Sequence, residues 1–185
     1  MRFKTSFFSL FALCVTAVFL LLPPRVTAQE AEPLPRQFRE IVLGMSLDAL
    51  KENLLKDGLF NFRGDRDVSF LPARDQSLVE TTGSSFIKRA FFQLRDGELF
   101  IMSFSLNTEK VDHYSIFTKL VEKYGEPSWL DPGQAVWETD DTRIAIERPL
   151  TVKYIDKKVF DDIINESGLV ESGNVKLRQE FINEF

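Results

Sequence analysis

The stretch Phe86–Leu106, FIKRAFFQLRDGELFIMSFSL, decides the fold that this sequence predicts. Its two apolar halves, Phe86–Leu94 and Leu99–Leu106, flank the turn Arg95-Asp96-Gly97-Glu98. Asp-Gly is a dipeptide that tight two-residue hairpin turns prefer. The stretch therefore predicts an antiparallel β-hairpin.

The turn also predicts which residues face each other across the two strands. The expected pairs are Leu94 with Leu99, Phe92 with Ile101, and Phe91 with Met102. Both faces of the hairpin are then apolar near the turn. One face is expected to cover a helix, and the other must meet something else, in the same chain or in a partner.

A helix is predicted just before this hairpin. Ser46 is a good N-cap, and Asp48 lies in the first turn, where the helix dipole favours a negative charge. Leucines then recur at helical spacing, and Gly58 is expected to end the helix in a left-handed conformation. Those leucines are Leu47, Leu50, Leu54 and Leu55. Three short extended pieces, Leu59–Phe62, Val68–Leu71 and Leu78–Thr82, lead from this helix to the hairpin.

The same plan follows a second time. A helix is predicted with Thr108 or Asp112 as its cap and Gly125 as its stop. Its expected buried stripe is Val111, Tyr114, Phe117, Leu120, Val121 and Tyr124. A second hairpin, Ala135–Thr139 with Thr142–Glu147, places Trp137 opposite Ile144 and Glu138 opposite Arg143. Thr151–Ile155 supplies a third strand.

The predicted fold class is α+β, built from two tandem helix-plus-antiparallel-meander units followed by a C-terminal helical segment. The units span residues 38–107 and 108–156, and the helical segment spans residues 157–185. A signal peptide is predicted over residues 1–28 and a flexible tether over residues 29–37. Pro33 and Pro35 among charged residues indicate the tether.

The signal peptide is predicted from the secretory pattern of a basic start, an apolar run and small residues at the exit. The apolar run Phe7–Leu22 is shorter than the roughly 20 residues of a spanning helix, and Ala28 precedes the expected cleavage site. We therefore expect a periplasmic or secreted protein, with an uncleaved membrane anchor as the alternative. Cys14 is the only cysteine, so the mature chain would contain no disulfide.

Composition indicates a globular chain and argues against a nucleic-acid partner. Hydrophobic residues make up 44% of the 185 residues and charged residues 28%, which is typical of a folded domain. The formal charge of −5 loses three positive charges with the predicted leader and becomes −8. Phosphate binding needs a basic face.

Two motifs resemble a known group of envelope proteins. The stretch Ile41–Leu50, IVLGMSLDAL, resembles the opening of BamE-type (SmpA/OmlA) domains, and Leu120–Pro127, LVEKYGEP, is similar to their helix ends. Two such units in tandem are the plan of the β-lactamase inhibitor protein (BLIP) fold. The resemblance covers about residues 38–156 and implies a secreted or envelope protein that binds other proteins. The chain departs from it by lacking the lipid-bearing cysteine of BamE proteins and the disulfides of the secreted inhibitors.

Residues with catalytic or metal-binding chemistry form no recognisable constellation. His113, the only histidine, has no identifiable nucleophile or further zinc ligands and is interpreted as a solvated surface residue. Asp140-Asp141 is interpreted as a turn and Asp161-Asp162 as a charged helix face, because two adjacent acids do not form a calcium cage. We predict no metal and no cofactor. Arg63-Gly64-Asp65 is the integrin-recognition tripeptide, with an ordinary exposed turn as the simpler interpretation.

These observations favour an exported, non-catalytic protein-binding or envelope-assembly protein that recognises its partner through an aromatic-rich antiparallel sheet. The residues predicted to contact that partner are Phe91, Phe92, Phe100, Ile101, Phe104 and Trp137. One alternative is a small hydrolase or carbohydrate-active enzyme that uses a carboxylate pair from Glu126, Glu138 and Glu147. Another is a small-molecule pocket between helix and sheet.

Overall fold

The computed structural model describes residues 34–71, 75–167 and 182. The predicted signal peptide, residues 29–33 of the predicted tether and most of residues 168–185 lie outside the described residues. The described helices are α1 (Leu47–Lys56), α2 (His113–Tyr124) and α3 (residues 157–167). The strands are β1 (Gln37–Phe38), β2 (Ile41–Val42), β3 (Val68–Phe70), β4 (Gln76–Thr82), β5 (Ile87–Arg95), β6 (Glu98–Leu106), β7 (Trp129–Leu130), β8 (Gln134–Glu138), β9 (Thr142–Glu147) and β10 (Thr151–Asp156).

Eight of the strands form one antiparallel sheet in the order β3-β4-β5-β6-β10-β9-β8-β7. Its two halves meet where β6 pairs with β10, with Phe104 opposite Val152. Strands β1 and β2 form a separate pair. The predicted α+β class is therefore confirmed. No helix in the described part of the chain has the length and apolar character needed to cross a membrane.

The first hairpin has the predicted turn but only part of the predicted register. Asp96 and Gly97 both have positive φ, 52° and 80°, as a type I′ turn requires. Leu94 lies opposite Leu99 as expected. One residue further, Phe100 forms a β-bulge, because Gln93 pairs with Ile101 rather than with Phe100. The pairings predicted for Phe92 and Phe91 are therefore wrong: they face Met102 and Ser103.

Helix α1 begins as predicted and ends differently. The Ser46 hydroxyl accepts a hydrogen bond from the backbone N–H of Ala49 at 3.3 Å. The C-cap is Asp57 in an extended conformation, and its carboxylate accepts from the backbone N–H of Leu59 at 2.9 Å. Gly58 does not adopt the left-handed conformation expected of it, because this side-chain contact directs the chain out of the helix.

Helix α2 matches its predicted caps. The Asp112 carboxylate accepts from the backbone N–H of Ser115 at 2.8 Å, and Gly125 ends the helix with φ 78°. One member of the predicted buried stripe is misplaced, since Tyr114 is 75% exposed. The second hairpin has the predicted pairs, Trp137 with Ile144 and Glu138 with Arg143.

Helices α1 and α2 cover the same face of the sheet and bury two apolar clusters there. The α1 cluster includes Leu50, Leu54, Phe60, Phe92, Met102 and Phe104. The α2 cluster includes Leu120, Tyr124, Trp137, Ile144, Ile146 and Val152. Leu106 and Tyr154 contact both clusters, so the helix-covered face has a continuous core.

Helix α3 covers part of the opposite face. The bulge turns two successive side chains, Phe100 and Ile101, into one cluster with Ile155. Three apolar residues of α3, Val159, Phe160 and Ile163, pack against this cluster. The second apolar face near the hairpin turn is therefore covered within the same chain.

The predicted tether is anchored at its C-terminal end. Leu34 packs against the α2 cluster, and the Arg36 guanidinium donates to the Asp141 carbonyl at 2.9 Å. Arg36 also pairs with Asp156 of β10. Burial of Leu34 and the ion pair of Arg36 thus hold this end of the segment against the sheet.

Candidate functional site

The part of the sheet that α3 leaves uncovered forms an open groove of about 670 Å³. It lies on the face opposite α1 and α2, where alternate residues of the strands point away from the main core. Trp129 of β7 and Phe160 of α3 also line it. The other lining residues are Phe91, Gln93, Ile101, Ser103, Gln134, Val136, Glu138, Arg143, Ala145, Glu147, Lys153 and Ile155.

The charged side chains of the groove are paired with one another. The Arg143 Nε atom lies 2.6 Å from the Glu138 carboxylate, and the Lys153 ammonium lies 2.7 Å from the Glu147 carboxylate. The Arg143 guanidinium also lies over the ring of Phe160, 5.4 Å from its centroid. The groove therefore combines apolar surface with balanced charge, and its pairs remain partly accessible to solvent.

A model of the TP0088 domain family matches residues 36–166 of the chain. The chain belongs to the TP0088 domain family. The matched part of this TP0088 domain runs from Arg36, which anchors the N-terminal segment, nearly to the end of α3, so it contains the whole sheet and the groove. The family match does not link the TP0088 domain to BamE-type or BLIP proteins. No curated protein and no solved structure matches the chain.

Three of the six predicted contact residues lie in the core of the TP0088 domain. Phe92, Phe104 and Trp137 are at most 2% exposed on the helix-covered face. The Trp137 indole donates a hydrogen bond to the carbonyl of Gly125 at 2.8 Å, which joins β8 to the end of α2. Side chains this buried cannot meet a partner of the folded chain, so we leave these three out of the proposed surface.

The other three predicted contact residues lie on the groove face of the sheet. Phe100 and Ile101 are buried under α3, and Ile101 also borders the groove. Phe91 is half-buried in the groove wall, with the Arg89 guanidinium 5.9 Å from its ring centroid. Of the six, only Phe91 and Ile101 line the groove.

Most groove residues were missed because they belong to β7–β10 and not to the Phe-rich hairpin. Trp129 is the largest exposed side chain of the groove, at 61%. The available signal was the alternation of buried and half-buried positions along β8, where Gln134, Val136 and Glu138 share the outer face. Alternation indicates an outer face, but it does not reveal that α3 makes this face into a groove.

The carboxylates suggested for hydrolysis are poorly placed for it. Glu138 and Glu147 both line the groove, and Glu126 does not. Glu138 pairs with Arg143, which lies four residues from Glu147 along β9, so the two positions are about 13 Å apart along the strands. Each carboxylate also forms an ion pair with a neighbouring cation of the sheet, Glu138 with Arg143 and Glu147 with Lys153.

His113 is not the solvated residue that the sequence predicts. It is half-buried, its ring stacks on Phe117 at 6.4 Å between centroids, and its Nε2 atom is buried with no hydrogen-bond partner among the described residues. Burial lowers the pKa of His113, and the positive charge of Arg148 lowers it further. The prediction was wrong because the β7–β8 loop, which is distant in sequence, packs beside the first turn of α2.

The acid pairs and the Arg-Gly-Asp tripeptide have local structural roles. Asp141 lies in the β8–β9 bend and accepts hydrogen bonds from the Thr139 and Thr142 hydroxyls at 2.9 and 3.0 Å, which lower its pKa. The other pair, Asp161-Asp162, lies in α3. Within the described residues, no group of three or more His, Cys, Asp or Glu side chains could hold a metal ion.

Both charged side chains of the Arg-Gly-Asp tripeptide form ion pairs with other residues of the chain. The Arg63 guanidinium lies 2.6 Å from the carboxylate of Asp67, and Asp65 pairs with Lys51 of α1 at 2.7 Å. Burial raises the pKa of Asp67, but the side-chain and backbone hydrogen bonds from Arg63 outweigh it, so the pKa lies below its ordinary value. Arg63 therefore secures the 3₁₀ turn Gly64–Asp67.

Proposed function

We propose that this TP0088-domain protein is exported and non-catalytic, and that it recognises another envelope or secreted protein through the groove on the open face of its sheet. The observation that carries the proposal is the groove itself. It extends over strands β5 to β10 on the face that α1 and α2 do not cover. An accessible concave surface of this extent on a folded sheet is a natural place for a partner to bind.

The composition of the groove supports a protein partner. Exposed Trp129 and the partly exposed Arg143 belong to the residue types that most often dominate the energetics of protein interfaces. The paired charges resemble an interface with a polar rim more than a site for a highly charged ligand. Phe91 and Ile101 add apolar surface at the opposite wall.

The order of elements supports the interpretation of two tandem units. Helix α1 precedes strands β3–β6, helix α2 precedes strands β7–β10, and the two sets join at the β6–β10 pair. In a BLIP-like arrangement of this kind, the helices lie on one side and the joined sheet offers its other side to a partner. Export is proposed from the leader pattern at residues 1–28.

A carboxylate-dependent hydrolase has less support. The ion pairs that Glu138 and Glu147 form with neighbouring cations favour a binding surface over an acid–base pair.

The proposal is tested by affinity capture with a matched pair of variants in the cells that produce the protein. Trp129→Ser removes the exposed aromatic of the groove, and Phe70→Ser removes an exposed aromatic from the opposite edge of the sheet. We expect wild type and Phe70→Ser to retain the same partner protein and Trp129→Ser to lose about tenfold or more of it. Equal capture by both variants, or capture of no partner by wild type, would contradict the proposal. Urea unfolding of both variants checks that they are equally folded.

A further inference from the structure

A second pocket of about 490 Å³ lies at the other side of the β7–β8 edge, beside the first turn of α2. Its apolar walls come from Tyr114, Phe117 and Leu130. Tyr114 and Leu130 are large side chains that are 75% and 62% exposed. The volume is within the range of small-molecule sites, roughly 300–1,000 Å³, which are mostly apolar with a few convergent polar groups.

The two acidic side chains of this pocket are already engaged. The Asp112 carboxylate accepts from the backbone N–H and the hydroxyl of Ser115 at 2.8 and 2.6 Å. The Asp131 carboxylate accepts from the Trp129 indole at 3.0 Å and from the backbone N–H groups of Gly133 and Gln134 at 2.6 and 2.9 Å. These hydrogen bonds use both carboxylates to hold the helix cap and the β7–β8 loop.

Arg148, the cation of the pocket, uses only part of its guanidinium in hydrogen bonds to the described residues. Arg148 donates its Nε–H to the carbonyl of Pro132 at 2.8 Å, and no carboxylate in the described part of the chain forms an ion pair with it. The remaining N–H groups of its guanidinium are therefore available for a ligand. Asp112 and Asp131 keep their negative charges, because their hydrogen-bond donors are neutral. Arg148 is the lining residue that offers a ligand both a positive charge and free donors.

His113 provides the second polar group. His113 lines the pocket, and its Nε2 atom is closed off from solvent and makes no hydrogen bond to any described residue. A buried polar atom without a partner is rare in folded proteins and needs an explanation. A ligand that accepts a hydrogen bond from Nε2–H would satisfy it once the imidazole turns to open this atom to the pocket.

We propose that this pocket binds an apolar carboxylate. The carboxylate oxygens would accept hydrogen bonds from Arg148 and, after that turn of the imidazole, from Nε2–H of His113. The apolar body would lie against Tyr114, Phe117 and Leu130. The same chemistry is offered by a free small acid and by the C-terminal carboxylate of a polypeptide that ends in an apolar residue. This pocket shares only Gln134 with the groove, so failure of the carboxylate site would leave the proposed function intact.

The electrostatic surroundings of His113 fit this proposal. Burial and Arg148 lower its pKa, and Asp112 opposes them. Asp131 and the Tyr114 hydroxyl are the other titratable groups that line the pocket. A bound carboxylate adds a negative charge beside the imidazole and is therefore expected to raise the pKa of His113.

The chain contains a single histidine, so its imidazole Cε1–H signal in a proton NMR spectrum is a direct reporter of the pocket. The probes are 3-phenylpropionate with 3-phenylpropionamide as its neutral control, and N-acetyl-Ala-Phe with its C-terminal amide. We expect both acids to move the His113 signal and raise its pKa, and both amides to bind at least about tenfold more weakly. Binding of the small acid alone would identify a free acid as the ligand source, and binding of both would extend it to polypeptide C-termini.

A matched pair of arginine variants tests the role of Arg148. Arg148→Gln removes the charge of the pocket, and Arg66→Gln removes an exposed arginine far from it in sequence. We expect Arg148→Gln to bind the acid only as weakly as wild type binds the amide, and Arg66→Gln to behave as wild type. The proposal is overturned if neither acid moves the His113 signal at about 10 mM, if acids and amides bind alike, or if Arg148→Gln binds the acid as well as wild type.

Discussion

Replacing Phe104 by alanine distinguishes a core residue from a docking residue most sharply. The sequence suggested Phe104 as a partner contact, whereas the structure places it in the core at 2% exposure. Its ring contacts Phe38 at 4.4 Å between centroids, Phe92 at 5.9 Å, and Phe60 and Tyr154 at 6.2 Å. It also lies on β6 at the pair that joins the two halves of the sheet.

The expected loss of stability follows from these contacts. A buried Phe→Ala change costs about 3–5 kcal/mol through lost burial and the cavity left behind. Because four aromatic rings surround Phe104, we expect a loss of about 4 kcal/mol. With a urea m-value of about 2 kcal/mol/M, the unfolding midpoint falls by about 2 M.

Urea unfolding followed by far-UV circular dichroism measures this loss. The matched control is Phe70→Ala, which removes the same side chain where it is 82% exposed, and its midpoint should shift by less than about 0.5 M. A Phe104→Ala midpoint within about 0.5 M of wild type would refute the placement of Phe104 in the core. Equal shifts for both variants would refute it as well.

Three further predictions concern one ion pair, one glycine and one tyrosine. Asp67→Asn should lower the free energy of unfolding at pH 7 by about 1.5–3 kcal/mol. The Arg63 hydrogen bonds lower the pKa of Asp67 in the folded state. Their contribution to stability is therefore present above about pH 4 and is lost as the pH falls through the folded-state pKa. A difference in unfolding free energy between wild type and Asp67→Asn that is the same at pH 2 and pH 7 would contradict this. Gly83→Ala should destabilise the fold, because a Cβ there would lie 2.5 Å from the side chain and carbonyl of Ile87; an unchanged melting temperature would exclude this clash. Burial raises the pKa of Tyr154 to about 12, so wild type should lose more stability than Tyr154→Phe between about pH 10 and pH 12, and parallel losses in urea unfolding would contradict the burial.

Local sequence signals predicted the helices and hairpins well. Three of these features depend only on interactions within a few residues and can therefore be predicted from the local sequence. They are the Asp96-Gly97 turn, the Asp112 cap and the Gly125 stop. The bulge at Phe100 could not be predicted in the same way, because it depends on how β6 fits between β5 and β10. That one extra residue shifts by one position the pairing of the β5 residues that precede Leu94, as far as the next irregularity in the register.

Predicting the site failed where burial depends on distant parts of the chain. A Phe-rich hairpin can equally be core or surface, and only the packing of α1 shows that Phe92 is core. The cover over Phe100 comes from α3, more than 50 residues later in the chain. Trp129 cannot be recognised as a groove residue from the sequence, because a two-residue edge strand leaves little periodic signal.

Photo-cross-linking from the groove shows whether a partner binds at the open face of the sheet. A benzophenone amino acid would replace Gln93 in the groove, and in a matched protein it would replace Leu55, which is exposed on α1. We expect a covalent adduct with one partner protein from position 93 only, and we expect this adduct to be lost when Trp129→Ser is added. Equal adducts from both positions, or an adduct from position 55 alone, would contradict recognition through the groove.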